Sequence, residues 1–337
     1  MAFDAVLLVS FGGPEGPDEV EPFLENVLRG RQVSRERMQQ VAAHYLEFGG
    51  VSPISGQNRA LVEALRAALD TRAADLPVYW GNRNWHPFLA DTMRTMRADG
   101  IRRAAAFVTS AYSSYSSCRQ YLDDLAQARL AVGEGAPEVV KLRPYFNHPG
   151  FVGPLAAGLR AGRAQAGPDA PVLMSAHSIP AAMAGTCDYE RQLRETGRLV
   201  AEQAGEPSDG WALVFQSRSG PPQQPWLGPA IDHAITSLPG APPAVIVVPI
   251  GFVSDHMEVV YDLDRVAAST AAARGIRLVR APTPGTDPRF VAMICDLIDE
   301  ADGRAAPAVL GDFGPAASPC PSGCCPAPPR AGPSAGR

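Results

Sequence analysis

Lysine is almost missing from this chain. Lys141 is the only one in 337 residues, so arginine supplies the other 29 of its 30 basic side chains, and with 32 Gly, 33 Pro and abundant Ala this points to GC-rich coding rather than to a fold. An excess of positive charge is also missing. With 35 acidic residues and a net charge of -5, the chain has no electrostatic footprint for nucleic acid. No long apolar run occurs: the stretch 244–253 contains Pro249 and is far short of the ~20 residues of a membrane-spanning helix. The first residues carry no basic charge before their apolar run and no small-residue cleavage pattern after it, so no secretory leader is read and a cytoplasmic location is expected. Six cysteines are too few for a disulfide framework in a chain this long; in a reducing compartment they stay thiols, and the clustered ones read as metal ligands. Neither G-x-G-x-x-G nor H-E-x-x-H is present, which removes support for a dinucleotide enzyme and for a zinc protease.

Apolar residues make up 46% of the chain, enough for a sizeable core, and the length fits two domains of roughly 100–200 residues. Short apolar runs at 5–10, 77–80, 104–109, 172–175, 211–216, 244–249 and 277–280 read as strands. Helical periodicity separates them at 18–29, 56–73, 88–98, 119–130, 150–166, 188–204, 229–237, 257–273 and 287–302. Alternating strand and helix with near-continuous apolar strands predicts an α/β protein with two similar doubly wound parallel sheets. The expected division is 1–112 plus 278–304, with the last helix returning, then 113–277, then a tail at 305–337. No internal repeat of fixed period is visible. In the tail 13 of 33 residues are Pro or Gly, so it builds no core and is expected to be extended unless something anchors it.

Functional groups in open α/β sheets gather beyond the carboxyl ends of the strands. There the chain has Phe11-Gly-Gly-Pro14, read either as a tight turn or as a binding loop. His177 follows the fifth run, between Ser175 and Ser178, where an imidazole either completes the packing or ligates a metal and takes a proton near pH 7. After the run at 244–249 a helix is expected to enter through Ser254, with Asp255 in its first turn. Glu258 and Asp262, four apart, then share one face beside Tyr261: a solvated acidic patch, or a proton or metal relay. His256 and Glu258, two apart, are expected on different faces. The loops 81–87 and 215–226 are rich in Trp, Arg, Asn and Gln and either pack as cation–π architecture or frame a flat aromatic ligand.

Taken in order, Leu7-Leu-Val-Ser-Phe-Gly-Gly-Pro14, Gly49-Gly-Val-Ser-Pro-Ile54, Ser175-Ala-His-Ser-Ile-Pro180, Phe215-Gln-Ser-Arg218 and Gly251-Phe-Val-Ser-Asp-His-Met-Glu258 resemble the ferrochelatases of haem synthesis, over residues 4–302. The resemblance implies two doubly wound domains with a porphyrin cleft between them, and insertion of ferrous iron with loss of two pyrrole protons. It implies that His177 and Glu258 handle metal and protons across the cleft and that Asp262 continues an acidic path. A further acidic residue of the family falls on Val266 here, so the outer relay is either shortened or replaced by Asp264. Ser52 and Tyr121 fall on porphyrin-contacting positions, with Tyr45 and Arg29 as candidates for its carboxylates. Phe11 stands where some relatives place an iron-facing tyrosine, which excludes an axial phenolate there.

Some members of that family hold a [2Fe-2S] cluster with one internal and three C-terminal cysteines. Cys118 matches the internal position, and Cys320, Cys324 and Cys325 supply three more thiols. Cys187 and Cys295 fall in helical patterns and are expected to be small buried residues. With GC-rich coding and the thiol set, the resemblance favours coproporphyrin III as substrate. Protoporphyrin IX, a sirohydrochlorin cobalt chelatase and a non-catalytic haem or iron–sulfur sensor are the alternatives. The expected partners are the porphyrin and ferrous iron, with no nucleic acid, no integral membrane segment and an undetermined product-receiving protein.

Overall fold

The computed structural model describes residues 2–30, 33–220 and 223–327. β1 (Ala5–Ser10), β2 (Val78–Asn82), β3 (Arg103–Val108) and β4 (Glu138–Lys141) form one parallel sheet in the order β2-β1-β3-β4. β5 (Val172–His177), β6 (Trp211–Gln216), β7 (Ala244–Val248) and β8 (Arg277–Arg280) form a second in the order β6-β5-β7-β8. The two sheets thus share one winding pattern, although the sequence shows no repeat. A strand covered on both faces is constrained only to be apolar, and β1 and β7 are buried at every position.

All seven expected strands are present, and β4 is an eighth. Its four residues, Glu-Val-Val-Lys, lie at the sheet edge and are too short to show a period. In chain order the helices are α1 (Val20–Leu28), α2 (Arg35–Glu47), α3 (Pro53–Thr71), α4 (Leu89–Ala98), α5 (Gln120–Val132), α6 (Pro149–Ala166), α7 (Ala181–Ala184), α8 (Tyr189–Ala204), α9 (Ile231–Thr236), α10 (Met257–Val259), α11 (Ala268–Ala272) and α12 (Pro288–Ala301). The sequence reading missed α2 because it buries only Ala42 fully. Its start signal was nonetheless there: Ser34 Oγ accepts a hydrogen bond from the Arg37 backbone N–H at 3.2 Å.

One apolar cluster joins the halves. Leu8 and Phe107 of the first sheet, Phe151 of α6, Phe290 of α12, and Met174 and Ile246 of the second sheet all belong to it. α12 packs against both α3 and α6. Its approach to α6 depends on Gly150, where a Cβ would lie 2.5 Å from the Arg289 carbonyl oxygen. On the other side, Arg72 holds Asp296 at 2.9 Å.

The start of the tail is anchored away from its thiols, the exception under which it was not expected to be extended. Arg143 and Glu300, both almost fully buried, pair at 2.6 Å. Each also binds Ala308: the Arg143 guanidinium donates to its carbonyl at 3.0 Å, and its N–H donates to Glu300 at 2.8 Å. Leu310 N–H donates to the Asn147 carbonyl at 2.9 Å, and the Asn147 side chain donates to Gly314 O at 2.9 Å. The Phe313 ring meets Phe146 edge-on at 5.0 Å. Composition concealed this strap because its partners lie in the β4–α6 connection and in α12.

Candidate active site

β5 carries His177 to its carboxyl end, level with Gln216 of β6. Tyr189 of α8 donates to the His177 carbonyl at 2.9 Å, and Ser178 N–H donates to the Gln216 carbonyl at 2.8 Å, so the imidazole leaves a doubly fixed backbone. Gly251, beyond β7, lies so close to β5 that a Cβ there would be 2.7 Å from the Ala176 Cα. This close approach sets the loop that leads to Glu258 beside His177.

His177 Nε2 is 3.6 Å from Glu258 Oε2, with the imidazole about one-third and the carboxylate half exposed. Burial pulls the imidazole down, but the charge and hydrogen bond of Glu258 outweigh it and hold His177 above its ordinary value. For Glu258 burial pushes up, while His177, and then His256, hold the carboxylate below its ordinary range. His256 is an unexpected neighbour. Its Nδ1 caps α10 by accepting from Glu258 N–H at 3.2 Å and lies 3.9 Å from Glu258 Oε2. The helix therefore starts one residue after His256, not at Ser254. Asp255 sits outside it, held by Arg280 at 3.0 Å and by Thr283 at 3.1 Å.

From Val260 to Ala267 the helix winds as a π-helix between α10 and α11, a geometry concentrated at functional sites. Asp262 lies on this turn and accepts from the Ser217 hydroxyl. Burial raises its carboxyl to about 6, with Glu258 adding to the shift and the Ser217 hydrogen bond opposing it. Asp264, the alternative outer carboxylate, is taken by Arg280 at 2.6 Å and does not extend the path.

The other sequence-predicted residues lie in the first half. Tyr45 of α2 is half-buried against Phe23. Burial, then the Glu258 charge, push its phenol up, which places it within electrostatic reach of the pair. Ser52 is buried at the start of α3, against Gly13, and its N–H donates to the Pro14 carbonyl at 2.8 Å. Tyr121 is buried beneath Arg83, whose guanidinium is 5.0 Å from its ring centre. Arg29 is exposed at the end of α1 and binds Asn26. The structure thus gathers His177, Glu258 and Asp262, with Tyr45 feeling the Glu258 charge. Part of the aromatic loop at 81–87 is architecture: Trp85 donates to Glu19 at 2.7 Å, and Asn82 holds the His86 carbonyl at 2.9 Å. Across the mouth, His44 of α2 stacks on Tyr261 at 3.8 Å, and Glu47 pairs with Arg265 at 2.6 Å.

The ferrochelatase family profile matches residues 3–302. The chain belongs to the ferrochelatase family. It is 54% identical over 341 residues to a ferrochelatase of Rhodopirellula baltica, a match covering 99% of this chain and 96% of that protein. It is 55% identical over 304 residues to the coproporphyrin III ferrochelatase of Mycobacterium avium, covering 89% and 88%. Among solved structures, SirB from Bacillus subtilis with Fe3+ aligns with a TM-score of 0.55 at 10% identity, over 89% of this chain and 97% of that one. CbiX, described as the terminal enzyme of sirohaem biosynthesis in denitrifying bacteria, aligns at 0.50 and 17%, over 88% and 99%. At these identities the two structures bear on the fold alone, and both share the chelatase architecture of this family member.

Cys118 of this ferrochelatase-family chain is buried in the π-turn Tyr115–Arg119. Cys324 and Cys325 have their sulfurs 3.5 Å apart. Interaction with Cys320, then burial, pushes the Cys118 thiol up, and interaction with Cys118 draws that of Cys320 down. Gly323 and Cys325 both take positive φ, +79° and +49°, which folds the C-x3-C-C segment tightly. Cys187 is half-buried in the turn before α8, within reach of the Cys324 charge, and not inside a helix as expected. Cys295 is buried in α12 as expected. Lys141 donates to the Leu142 carbonyl at 3.0 Å. Among the described residues, no three or more His, Cys, Asp or Glu are grouped to hold a metal ion. Nor, among them, is any helix long and apolar enough to cross a membrane.

Proposed function

We propose that this chain inserts ferrous iron into coproporphyrin III in haem biosynthesis, working in the cytoplasm. The observation that carries the reading is the His177–Glu258 pair, 3.6 Å apart at the carboxyl ends of the second sheet, in a chain whose relatives include coproporphyrin III ferrochelatases. Iron enters as a dication and the macrocycle gives up two pyrrole protons, so the site must receive two positive charges and release two. His177 and Glu258 receive iron and protons as a unit, because their protonation states are linked. Asp262, on the adjacent turn, passes protons outward. Ser52, Tyr121, Tyr45 and Arg29 are proposed contacts of the porphyrin and its carboxylates, with Tyr45 nearest the pair. Because β4 pairs with β3, we place the passage between the two domains after Lys141 and not at residue 112.

Anaerobic ferrous insertion into coproporphyrin III and protoporphyrin IX, followed side by side by their Soret bands, is expected to favour coproporphyrin. Equal or reversed preference overturns the substrate assignment, and cobalt insertion into sirohydrochlorin with none into either porphyrin overturns the reaction. Asp262 gains base character as pH rises through about 6. The insertion rate is therefore expected to rise through that pH, and Asp262→Asn to remove that limb and slow the plateau by up to about 10²-fold. A pH–rate profile unchanged by the substitution rules out the relay.

We further propose that Cys118, Cys320, Cys324 and Cys325 ligate one [2Fe-2S] cluster. Support comes from the chemistry of the donor set, since four thiolates hold a two-iron cluster, and from Cys324 and Cys325, whose sulfurs are 3.5 Å apart. Protein purified without oxygen is expected to be reddish-brown, with about two non-porphyrin irons per chain. Absence of acid-labile sulfide, or an unchanged visible spectrum in Cys118→Ser, removes the cluster from the reading.

A further inference from the structure

We propose that Gln216 is a positioning residue for iron insertion, the side chain that sets how Glu258 stands against His177. The proposal rests on that pair carrying the reaction. Gln216 ends β6, where it is the Cα partner of His177 at the end of β5. Residues level with each other on neighbouring strands project to the same face of a sheet. Both side chains therefore leave on the face where Leu173 and Val214 pack in one cluster with Val259 and Leu263, the residues flanking Glu258 and Asp262.

Gln216 holds the two sides of the pair separately. Its backbone carbonyl accepts from Ser178 N–H at 2.8 Å and so fixes the loop that presents the imidazole. Its side-chain Nε2 donates to the Glu258 carbonyl at 3.0 Å. A carbonyl only accepts, so the amide nitrogen must be the atom that faces it. The Glu258 backbone is thus gripped twice, at its N–H by His256 and at its C=O by Gln216. The other end of the amide contributes nothing to folding. Gln216 is 4% exposed, and its Oε1 has no hydrogen-bond partner among the described residues. A buried acceptor left unmatched lowers stability, and an apolar side chain of similar length would avoid that loss. A destabilising group retained beside a reacting pair fits a residue held for function.

The test compares wild type, Gln216→Met, Gln216→Leu, Glu258→Gln and the double variant Gln216→Met with Glu258→Gln. Ferrous insertion is measured at saturating iron and porphyrin, together with porphyrin affinity by titration and thermal melts. Gln216→Met is expected to lower kcat by about 10–10²-fold, the scale set by a misplacement of about 1 Å. Porphyrin affinity is expected to stay near wild type, and the melting temperature to match or exceed it. In the Glu258→Gln background the same substitution is expected to change the residual rate by less than about twofold, because a residue acting through Glu258 has nothing left to position. A rate loss that adds to that of Glu258→Gln, or failure of both Gln216 variants to fold, overturns the proposal. Glu258→Gln as fast as wild type overturns the pair and this role of Gln216 together. Slow Glu258→Gln with Gln216→Met at the wild-type rate overturns only the role of Gln216.

Discussion

Replacing His177 by alanine is expected to lower ferrous iron insertion by about 10²–10⁴-fold, the range a positioned proton acceptor contributes, and to leave the fold intact. The prediction divides chemistry from packing. The imidazole is about one-third exposed, and the contacts fixing this loop run through backbone atoms that alanine keeps: the His177 carbonyl to Tyr189, and Ser178 N–H to Gln216. Glu258 meanwhile loses the stronger of the two imidazoles that hold its carboxylate low, leaving only His256 against the upward push of burial. The pair therefore fails on both sides from one substitution. Insertion rates at saturating porphyrin, with thermal melts and porphyrin titrations as controls, make the comparison. Turnover within a few-fold of wild type would mean that the reaction runs elsewhere.

Glu300→Gln is expected to destabilise the protein by about 3–5 kcal/mol, the usual result of leaving one member of a buried ion pair unmatched. Arg143 and Glu300 are 5% and 6% exposed, so solvent screening does little to soften the loss. The damage extends beyond the pair, because Glu300 also accepts from Ala308 N–H and thereby pins the strap. Paired replacement by Arg143→Met and Glu300→Leu is expected to be milder than either single change, since no charge is left without its partner. Denaturant or thermal unfolding of the three variants checks this. A single substitution as stable as wild type would show that the strap is held by Asn147 and Phe313 without the ion pair.

The architecture was legible where physics leaves a strong local trace. Central strands such as β1 and β7 are buried at every position and almost wholly apolar because both faces are covered, and helices such as α3 carry the Leu61–Leu65–Leu69 stripe. β4 and α2 left no such trace, being edge elements with little buried surface. His177 and Glu258 could be singled out because strand ends gather function and because their motifs resemble a known family. Their partners could not. His256 acts through a capping geometry and Ser217 through a residue with φ of +62°; neither has a sequence period. The π-helical turn is equally silent, since its residues fit ordinary helical spacing. The tail misled for a different reason. Its composition describes what it lacks, whereas its order comes from Arg143, Asn147 and Glu300, all outside it.

The contacts between α2 and the π-helical turn are few and weak. A single aromatic stack, His44 on Tyr261, and a single surface ion pair, Glu47 with Arg265, hold the rim. Such contacts contribute about 0.5–1.5 and 0–1 kcal/mol respectively, a few multiples of thermal energy. Deeper in, the Tyr112 hydroxyl donates to the Ile250 carbonyl at 2.7 Å in buried surroundings that strengthen it, and Gln57 accepts from Asp255 N–H at 2.8 Å. The rim is therefore held more weakly than the floor, and added salt, which screens the Glu47–Arg265 pair, is expected to loosen the rim without disturbing the His177–Glu258 pair beneath it.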